Sequence, residues 1–206
     1  SLNKKNRFFS VNSTKLHDEN YDTLISLDDI LLKGKHNLSN FIASATAAKI
    51  LKVKNKKIKK TMELFTGIKH RLQFVKNIGG SSYFNDSKAT NISSVIAAIN
   101  SFNAPIILLL GGKNKDSDFR LLLPHTKRHV KHIVSFGEAG GEIATAIGDA
   151  VRLNTASSLN QAVASAHKIA SPGDIILMSP GCASFDEFKN FEDRGEKFIK
   201  MVRNLN

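Results

Sequence analysis

Three clusters of polar residues could do chemistry, because each combines residue types that bind small anions. Residues 85–91 read Asn-Asp-Ser-Lys-Ala-Thr-Asn, residues 111–119 read Gly-Gly-Lys-Asn-Lys-Asp-Ser-Asp-Phe, and residues 179–186 read Ser-Pro-Gly-Cys-Ala-Ser-Phe-Asp. Paired glycines let the backbone turn sharply or approach a ligand closely, and lysine ammoniums bind carboxylates and phosphates. The His70-Arg71 pair, upstream of all three clusters, adds a further cation. These residue types favour a binding site for a small anionic ligand.

Each cluster also has an interpretation that needs no ligand. Thr90 or Asn91 could cap a following helix, and the lysines of residues 111–119 could belong to a solvated turn. Ser184 or Asp186 could cap the last helix of the chain. Capping explains one residue of the first cluster, however, and leaves an Asp, a Lys and a second Asn unexplained.

Several other kinds of site are excluded because their spacings are missing. The sequence has no GxxxxGK[ST] loop for nucleotide phosphates, no GxGxxG dinucleotide fingerprint, and no HExxH or cysteine pair for a metal. The single cysteine, Cys182, has no base beside it in the sequence, so we expect a buried small apolar residue rather than a nucleophile. Phe188 and Phe198, at helical spacing, are expected to be core residues. We therefore predict no metal site in this chain.

The clusters follow strand-like segments in the part of the chain after His70. Strands are predicted at residues 72–78, 82–85, 105–110, 133–136, 151–153 and 174–178, and helices at residues 91–102, 141–147, 157–169 and 186–205. This alternation predicts an α/β fold, a Rossmann-like open and mostly parallel sheet with helices on both faces. Ligands of such sheets bind at the carboxyl ends of the strands, which is where the polar clusters lie.

The beginning of the chain shows a different pattern. Residues 3–30 are polar with short apolar patches, which predict one or two strands of a larger sheet. Helices are predicted from Asn37 onwards and again at residues 58–65. We therefore divide the chain into two domains, residues 1–67 and residues 68–206.

Composition narrows the class of protein. The 206 residues are 41% hydrophobic and 23% charged, which is typical of a globular protein and excludes wholesale disorder. The longest apolar run, residues 104–110, is far shorter than the ~20 residues of a membrane span. The single cysteine cannot form an internal disulfide, so we expect the protein to lie in the reducing cytoplasm. A net charge of +12 leaves a nucleic-acid-binding module open, although the basic stretch at residues 49–60 lacks interleaved aromatic residues.

Five motifs, in this order, resemble the C-terminal half of a Mur ligase over about residues 31–206. They are Gly34-Lys35-His36-Asn37, His70-Arg71, residues 85–91, residues 111–115, and residues 179–186, the last continuing through Phe188, Phe191, Arg194 and Gly195. The Asp-Ser-Lys-Ala-Thr-Asn and Ser-Phe-Asp-x-Phe segments are similar to those of the D-glutamate-adding branch of that family.

The resemblance implies an ATP- and Mg²⁺-dependent ligase of cytoplasmic peptidoglycan precursor synthesis. ATP phosphorylates the carboxylate of UDP-N-acetylmuramoyl-L-alanine, and the amine of D-glutamate displaces phosphate from the acyl phosphate. Residues 1–67 would be the C-terminal remnant of the central ATP-binding domain, and residues 68–206 the amino-acid-binding domain. Since the family's phosphate loop and metal ligands would lie outside this chain, we expect the chain alone to be inactive. The resemblance also implies that the protein is a monomer and that it binds neither nucleic acid nor a membrane.

The resemblance also implies roles for individual residues. D-glutamate would be bound by Lys88, Thr90, Lys115, Ser184, the backbone of Phe185, and Phe191. ATP would be bound by Asn40, Arg71 and Asp86, and the catalytic residues would be Lys88 and His70, the latter near the phosphates or the domain junction. A sister ligase that adds L-lysine or a diamino acid, and a free-standing Rossmann-like binding domain, are the alternatives.

Overall fold

The computed structural model describes residues 4–5, 8–12, 14–30 and 35–205. The chain divides after Gly67 into two compact units, Ser1–Gly67 and Ile68–Asn206. Gly34, the first residue of the first motif, lies outside the described residues. Within the described ranges, every helix is too short or too polar to cross a bilayer.

The N-terminal unit consists of a small antiparallel sheet and two helices. In chain order its elements are β1 (Lys4–Lys5), β2 (Ser10–Val11), β3 (Lys15–His17), β4 (Thr23–Ser26), α1 (Lys35–Ile50) and α2 (Asn55–Leu64). Phe9, Leu16 and Ile25 of the strand region are buried together with Ile58 and Met62 of α2. The sequence predicts only one or two strands here because strands of two to four residues are too short to show alternation.

The C-terminal unit is built on a six-stranded sheet. Its strands are β5 (Gln73–Ile78), β6 (Ser81–Asn85), β7 (Ile106–Gly111), β8 (Val130–Phe136), β9 (Leu153–Ala156) and β10 (Ile175–Gly181). They lie side by side in the order β5-β6-β10-β7-β8-β9, and only the edge strand β5 runs antiparallel to its neighbour. The predicted open, mostly parallel sheet is confirmed.

Helices cover both faces of this sheet, as predicted. They are α3 (Ile92–Ile99), α4 (Leu123–His129), α5 (Gly140–Ile147), α6 (Leu159–Ile169) and α7 (Phe191–Arg203). Ile106, Leu108 and Leu110 of β7 pack with α3 and α5 on one face. Ile107 and Leu109 pack with α6 and α7 on the other face, because successive side chains of a strand alternate. A strand covered on both faces requires the continuous apolar run that the sequence shows.

The last helix begins five residues later than predicted. It starts at Phe191 rather than at Asp186, because the side chain of Asn190 accepts a hydrogen bond of 2.7 Å from the backbone N–H three residues on. Neither Ser184 nor Asp186 is the cap. The carboxylate of Asp186 instead accepts a hydrogen bond of 3.1 Å from the backbone N–H of Glu138.

Two further elements differ from the prediction. Strand β9 begins at Leu153 instead of residue 151, because a single 3₁₀ turn at Gly148–Ala150 precedes it. Helix α4 was not predicted at all, since its sequence Leu-Pro-His-Thr-Lys-Arg-His has almost no apolar periodicity.

Candidate functional site

The three polar clusters lie at one edge of the sheet. Strands β6, β10 and β7 are parallel neighbours, and their register pairs Asn85 with Met178 and Gly111 with Gly181. The loops after these strands therefore begin side by side. We call them the β6 loop (residues 86–91), the β7 loop (residues 112–118) and the β10 loop (residues 182–190). This edge is where a doubly wound sheet binds its ligands.

Glycines in the β7 loop allow close approach to the β10 loop. Gly111 and Gly112 have φ of 155° and 122°, which side chains rarely adopt. A Cβ on Gly112 would lie 2.3 Å from the carbonyl oxygen of Ala183. Lys113 and Ala183 exchange two backbone hydrogen bonds of 2.9 and 3.0 Å. The close approach expected at these glycines is therefore to another part of the chain.

The β6 loop is tied down through Asp86. Its Oδ2 accepts a hydrogen bond of 2.8 Å from the Ser179 hydroxyl, and its Oδ1 accepts one of 3.1 Å from the backbone N–H of Leu72. Burial raises the pKa of Asp86 to about 6, although these two hydrogen bonds and the charge of Arg71 oppose the shift. Arg71 itself is exposed, so its guanidinium is available to a ligand. Asn91 caps α3, as one of the two expected caps.

His70 is packed beneath the same loop. The residue is 4% exposed, and its Nδ1 accepts a hydrogen bond of 3.0 Å from Nδ2 of Asn85. A Cβ at Gly195 would lie 2.2 Å from Nδ1 of His70, so only glycine fits at that point of α7. Burial lowers the pKa of His70, against the opposing charge of Glu196. A neutral His70 that supports the β6 loop accounts for these contacts.

Two ammoniums stand at this edge without an anionic partner. Nζ of Lys88 lies 4.8 Å from the ring centroid of Phe191, and Nζ of Lys115 lies 5.4 Å from that of Phe185. Within the described part of the chain, neither lysine forms an ion pair. Rings of this kind hold a cation without neutralising it, because only the ring quadrupole attracts it. Both lysines therefore remain available to a bound anion.

The other predicted ligand contacts have different environments. Ser184 is buried, Phe185 is 62% exposed, and Thr90 is exposed beside the cap of α3. Phe191 is the first residue of α7 and lies edge-on to His70, with ring centroids 6.3 Å apart. The C-terminal unit thus carries the predicted D-glutamate contacts on its three loops and on the first residue of α7.

Asn40 lies on the exposed side of α1 in the N-terminal unit. Within the ranges that the structure describes, no group of three or more His, Cys, Asp or Glu side chains could hold a metal ion.

The structure adds a residue for which the sequence suggested no role. Arg194 is fully buried, and burial lowers its pKa to about 10. Nε and Nη2 donate to the hydroxyl and carbonyl oxygens of Ser87 at 3.0 and 2.9 Å. Nη2 and Nη1 donate to the carbonyl oxygens of Cys182 and Ala183 at 3.1 and 3.2 Å. The sequence gives two signals, its place in the continuation of the fifth motif and its helical spacing from Phe191 and Phe198, which puts it on the inner face of α7.

Three core assignments are confirmed. Phe188 and Phe198 are buried against the sheet. Cys182 is 1% exposed, and burial raises the pKa of its thiol to about 12. A thiol with that pKa is almost entirely protonated near neutral pH, so it is a poor nucleophile.

Comparison with known sequences identifies relatives of both parts of the chain. The family described as "Mur ligase, glutamate ligase domain" matches residues 70–182. UDP-N-acetylmuramoylalanine–D-glutamate ligase from Bacillus cytotoxicus is 41% identical over 186 residues, which cover 89% of this chain and 41% of that protein. The ligase of the same name from Bacillus mycoides matches with the same identity and coverage. The chain therefore spans less than half the length of these relatives.

Solved structures share the fold. UDP-N-acetylmuramate-alanine ligase from Thermotoga maritima matches with a TM-score of 0.64 and 12% identity, covering 92% of this chain and 42% of that one. FolC from Escherichia coli, in complex with DHPP and ADP, matches with a TM-score of 0.65 and 20% identity over 95% of this chain and 46% of that one.

Proposed function

The chain belongs to the Mur ligase family, and we propose that it forms the amino-acid-binding part of an ATP-dependent ligase that adds D-glutamate to UDP-N-acetylmuramoyl-L-alanine. Relatives of that name from two Bacillus species support the assignment. Because the chain spans 41% of their length, the activity belongs in this proposal to a longer protein. Residues 1–67 would then be the end of its central ATP-binding domain.

The observation that carries this proposal is a pair of lysines that form no ion pair with any residue the structure describes. D-glutamate has two carboxylates, and Lys88 and Lys115 present one ammonium each from two loops of the same sheet edge. A hydrogen bond to a charged group contributes about 1.5–3 kcal/mol, so two such contacts are enough to select a dianion. Thr90, Ser184 and the Phe185 backbone would supply further hydrogen bonds.

The chemistry requires D-glutamate to be held with its neutral amine towards an acyl phosphate. The nitrogen lone pair attacks the acyl carbon, a tetrahedral intermediate forms, and the C–O bond to phosphate breaks while the nitrogen loses a proton. When both carboxylates are held, the amine is already oriented towards the acyl phosphate. The bimolecular attack then becomes an effectively unimolecular step within the bound complex. Lys88, the proposed catalytic cation, would stabilise negative charge on the intermediate.

In this proposal ATP is contacted by the exposed Arg71 and the buried Asp86. Arg71 is an exposed cation suited to contact ATP, and Asp86 would reach the adenosine from the adjacent loop. The roles of Asn40 in ATP binding and of His70 near the phosphates stay predictions from the family resemblance. ADP in the related E. coli FolC structure supports a nucleotide-dependent reaction.

ATP supplies the phosphoryl group, and Mg²⁺ is expected with it. The described residues do not fit a metal site, so no step here is assigned to the metal. The sequence also lacks a GxxxxGK[ST] phosphate loop. We therefore infer that the 206-residue chain alone does not turn over. From the relatedness to ligases of peptidoglycan precursors we also propose that the longer ligase acts in the cytoplasm.

Phosphate release tests this function. A full-length ligase that carries this chain is incubated with ATP, Mg²⁺ and UDP-N-acetylmuramoyl-L-alanine, and with D-glutamate, L-lysine or a diamino acid. We expect release with D-glutamate only, and none from the 206-residue chain. Release with another amino acid would support the sister-ligase alternative. Turnover by the isolated chain would refute the inference that a second part is required.

A further inference from the structure

The side chain of Arg194 lies beneath all three loops of the candidate site. It donates to Ser87 in the β6 loop and to two carbonyl oxygens at the start of the β10 loop. The β7 loop lies beside the guanidinium, because a Cβ built on Gly112 would lie 3.0 Å from Nη1 of Arg194. One guanidinium therefore donates to two segments that are far apart in the sequence and lies beside a third.

The acceptors of this guanidinium are all neutral. They are one hydroxyl and three backbone carbonyls, and among the described residues no carboxylate lies within ion-pair distance of Arg194. A buried cation without an anionic partner is expensive, and well-packed apolar residues often stabilise a fold better at such positions. Stability alone is therefore a poor explanation for a buried arginine here.

The neighbours of these acceptors suggest a reason. Ser87 directly precedes Lys88, and Ala183 directly precedes Ser184. We propose that Arg194 is a positioning residue that fixes the distance between the β6 and β10 loops, which are two of the three loops that carry the D-glutamate contacts. This inference rests on the proposed function, because it concerns the same pocket.

A second set of contacts connects Arg194 to the ammonium of Lys88. The hydroxyl of Ser87 accepts from Nε of Arg194 and donates to the carbonyl oxygen of Phe191 at 2.7 Å. The ring of Phe191 in turn lies 4.8 Å from Nζ of Lys88. Ser87 thus links the guanidinium of Arg194 to Phe191, whose ring contacts the ammonium of Lys88.

Lysine cannot replace Arg194 in this arrangement. The guanidinium is a planar fork with donors on three nitrogens, and the contacts here use all three of them. A lysine keeps the charge but carries its donors on one nitrogen, so it cannot reach both loops at once. Arg194→Lys therefore separates the effect of charge from the effect of geometry.

Steady-state kinetics of the full-length ligase test this proposal. We expect Arg194→Lys to raise the KM for D-glutamate by about tenfold or more, because displaced loops weaken a charge-assisted hydrogen bond to the substrate and the loss of one such bond costs about tenfold or more in affinity. The KM for ATP should stay within about twofold. Arg203→Lys makes the same exchange at an exposed position of the same helix and should change neither constant. A purely structural arginine would lower the active fraction, and hence kcat, while both KM values stayed unchanged.

Ser87→Ala decides the question if Arg194→Lys does not fold. It removes one acceptor of Arg194 and the bond to Phe191, and we expect a roughly threefold to tenfold rise in the KM for D-glutamate. Lys115→Ala, measured alongside, tests the pocket itself. An unchanged KM in Lys115→Ala would overturn the proposed function. A raised KM in Lys115→Ala, together with unchanged values in both Arg194→Lys and Ser87→Ala, would overturn the role of Arg194 alone.

Discussion

Asp86 makes the C-terminal unit less stable as the pH rises, and this can be measured. Its pKa is raised from 3.8 to about 6, mainly because the carboxylate is buried. Between these two pH values the folded chain keeps the proton and the unfolded chain loses it. Raising the pH therefore stabilises the unfolded state relative to the folded state. Unfolding free energy therefore falls across this window. The substitution Asp86→Asn, which mimics the protonated acid, should remove that dependence.

The size of the effect follows from the two pKa values. A shift from 3.8 to about 6 corresponds to about 3 kcal/mol in total, of which about 2 kcal/mol is lost between pH 4.5 and 7.5. The asparagine can satisfy the same partners, since its amide N–H can donate to Ser179 and its oxygen can accept from Leu72. Asp86→Asn should therefore gain about 2 kcal/mol relative to the native chain over that pH range.

Urea unfolding monitored by tyrosine fluorescence isolates the right unit. The chain has no Trp and two Tyr, of which Tyr21 lies in the N-terminal unit and Tyr83 is fully buried in the C-terminal sheet. In a Tyr21→Phe background, the signal reports only the unit that contains Asp86. Asp118→Asn is the control, because Asp118 is only half-buried and its hydrogen bond from Arg120 lowers its pKa.

The control substitution should change stability by the same amount at both pH values. A lowered carboxyl pKa contributes stability that is present above the ordinary value and lost only at lower pH, so Asp118→Asn should shift stability equally at pH 4.5 and 7.5. If the difference between native chain and Asp86→Asn were also constant, within about 0.5 kcal/mol, the reasoning would be wrong. The hydrogen bonds from Ser179 and Leu72 would then fully offset burial.

Two glycine substitutions should have opposite effects in the same assay. Gly112→Ala should lower the unfolding free energy by roughly 2–5 kcal/mol, because φ is 122° and the new Cβ would lie 2.3 Å from the carbonyl oxygen of Ala183. Gly141→Ala should raise it by about 0.5–1 kcal/mol, since this position of α5 has open space and alanine favours helix. Equal effects of the two substitutions would contradict the close packing of the β7 and β10 loops.

Much of the C-terminal fold could be predicted because its determinants are local. The fully buried β7 appears in the sequence as an unbroken apolar run, and the polar clusters mark the ends of β6, β7 and β10. Asn91 was one of two expected caps because capping depends on a few neighbouring residues. In contrast, the expected cap Asp186 accepts a hydrogen bond from the N–H of Glu138, a contact that spans 48 residues, and Asn190 caps α7 instead.

The environment of Arg194 shows why the site was only partly predictable. An arginine on an amphipathic helix is usually exposed, and its burial depends on carbonyl groups that two distant loops bring together. Likewise, the glycines of the β7 loop correctly indicate a close approach, but sequence cannot tell whether the partner is a ligand or the backbone of Ala183. The types of the binding residues are local information, whereas the support beneath them is tertiary.

The KM for D-glutamate in Lys115→Ala tests the central claim most directly. Lys115 lies at the sheet edge and forms no ion pair within residues 4–5, 8–12, 14–30 and 35–205. The loss of one charge-assisted contact of about 1.5–3 kcal/mol should raise this KM by roughly 10- to 150-fold. The KM for ATP should not change. Lys127→Ala, at an exposed position of α4, is the matched control and should leave both constants unaltered. An unchanged KM for D-glutamate in Lys115→Ala would contradict the account, because the carboxylates would then be bound elsewhere.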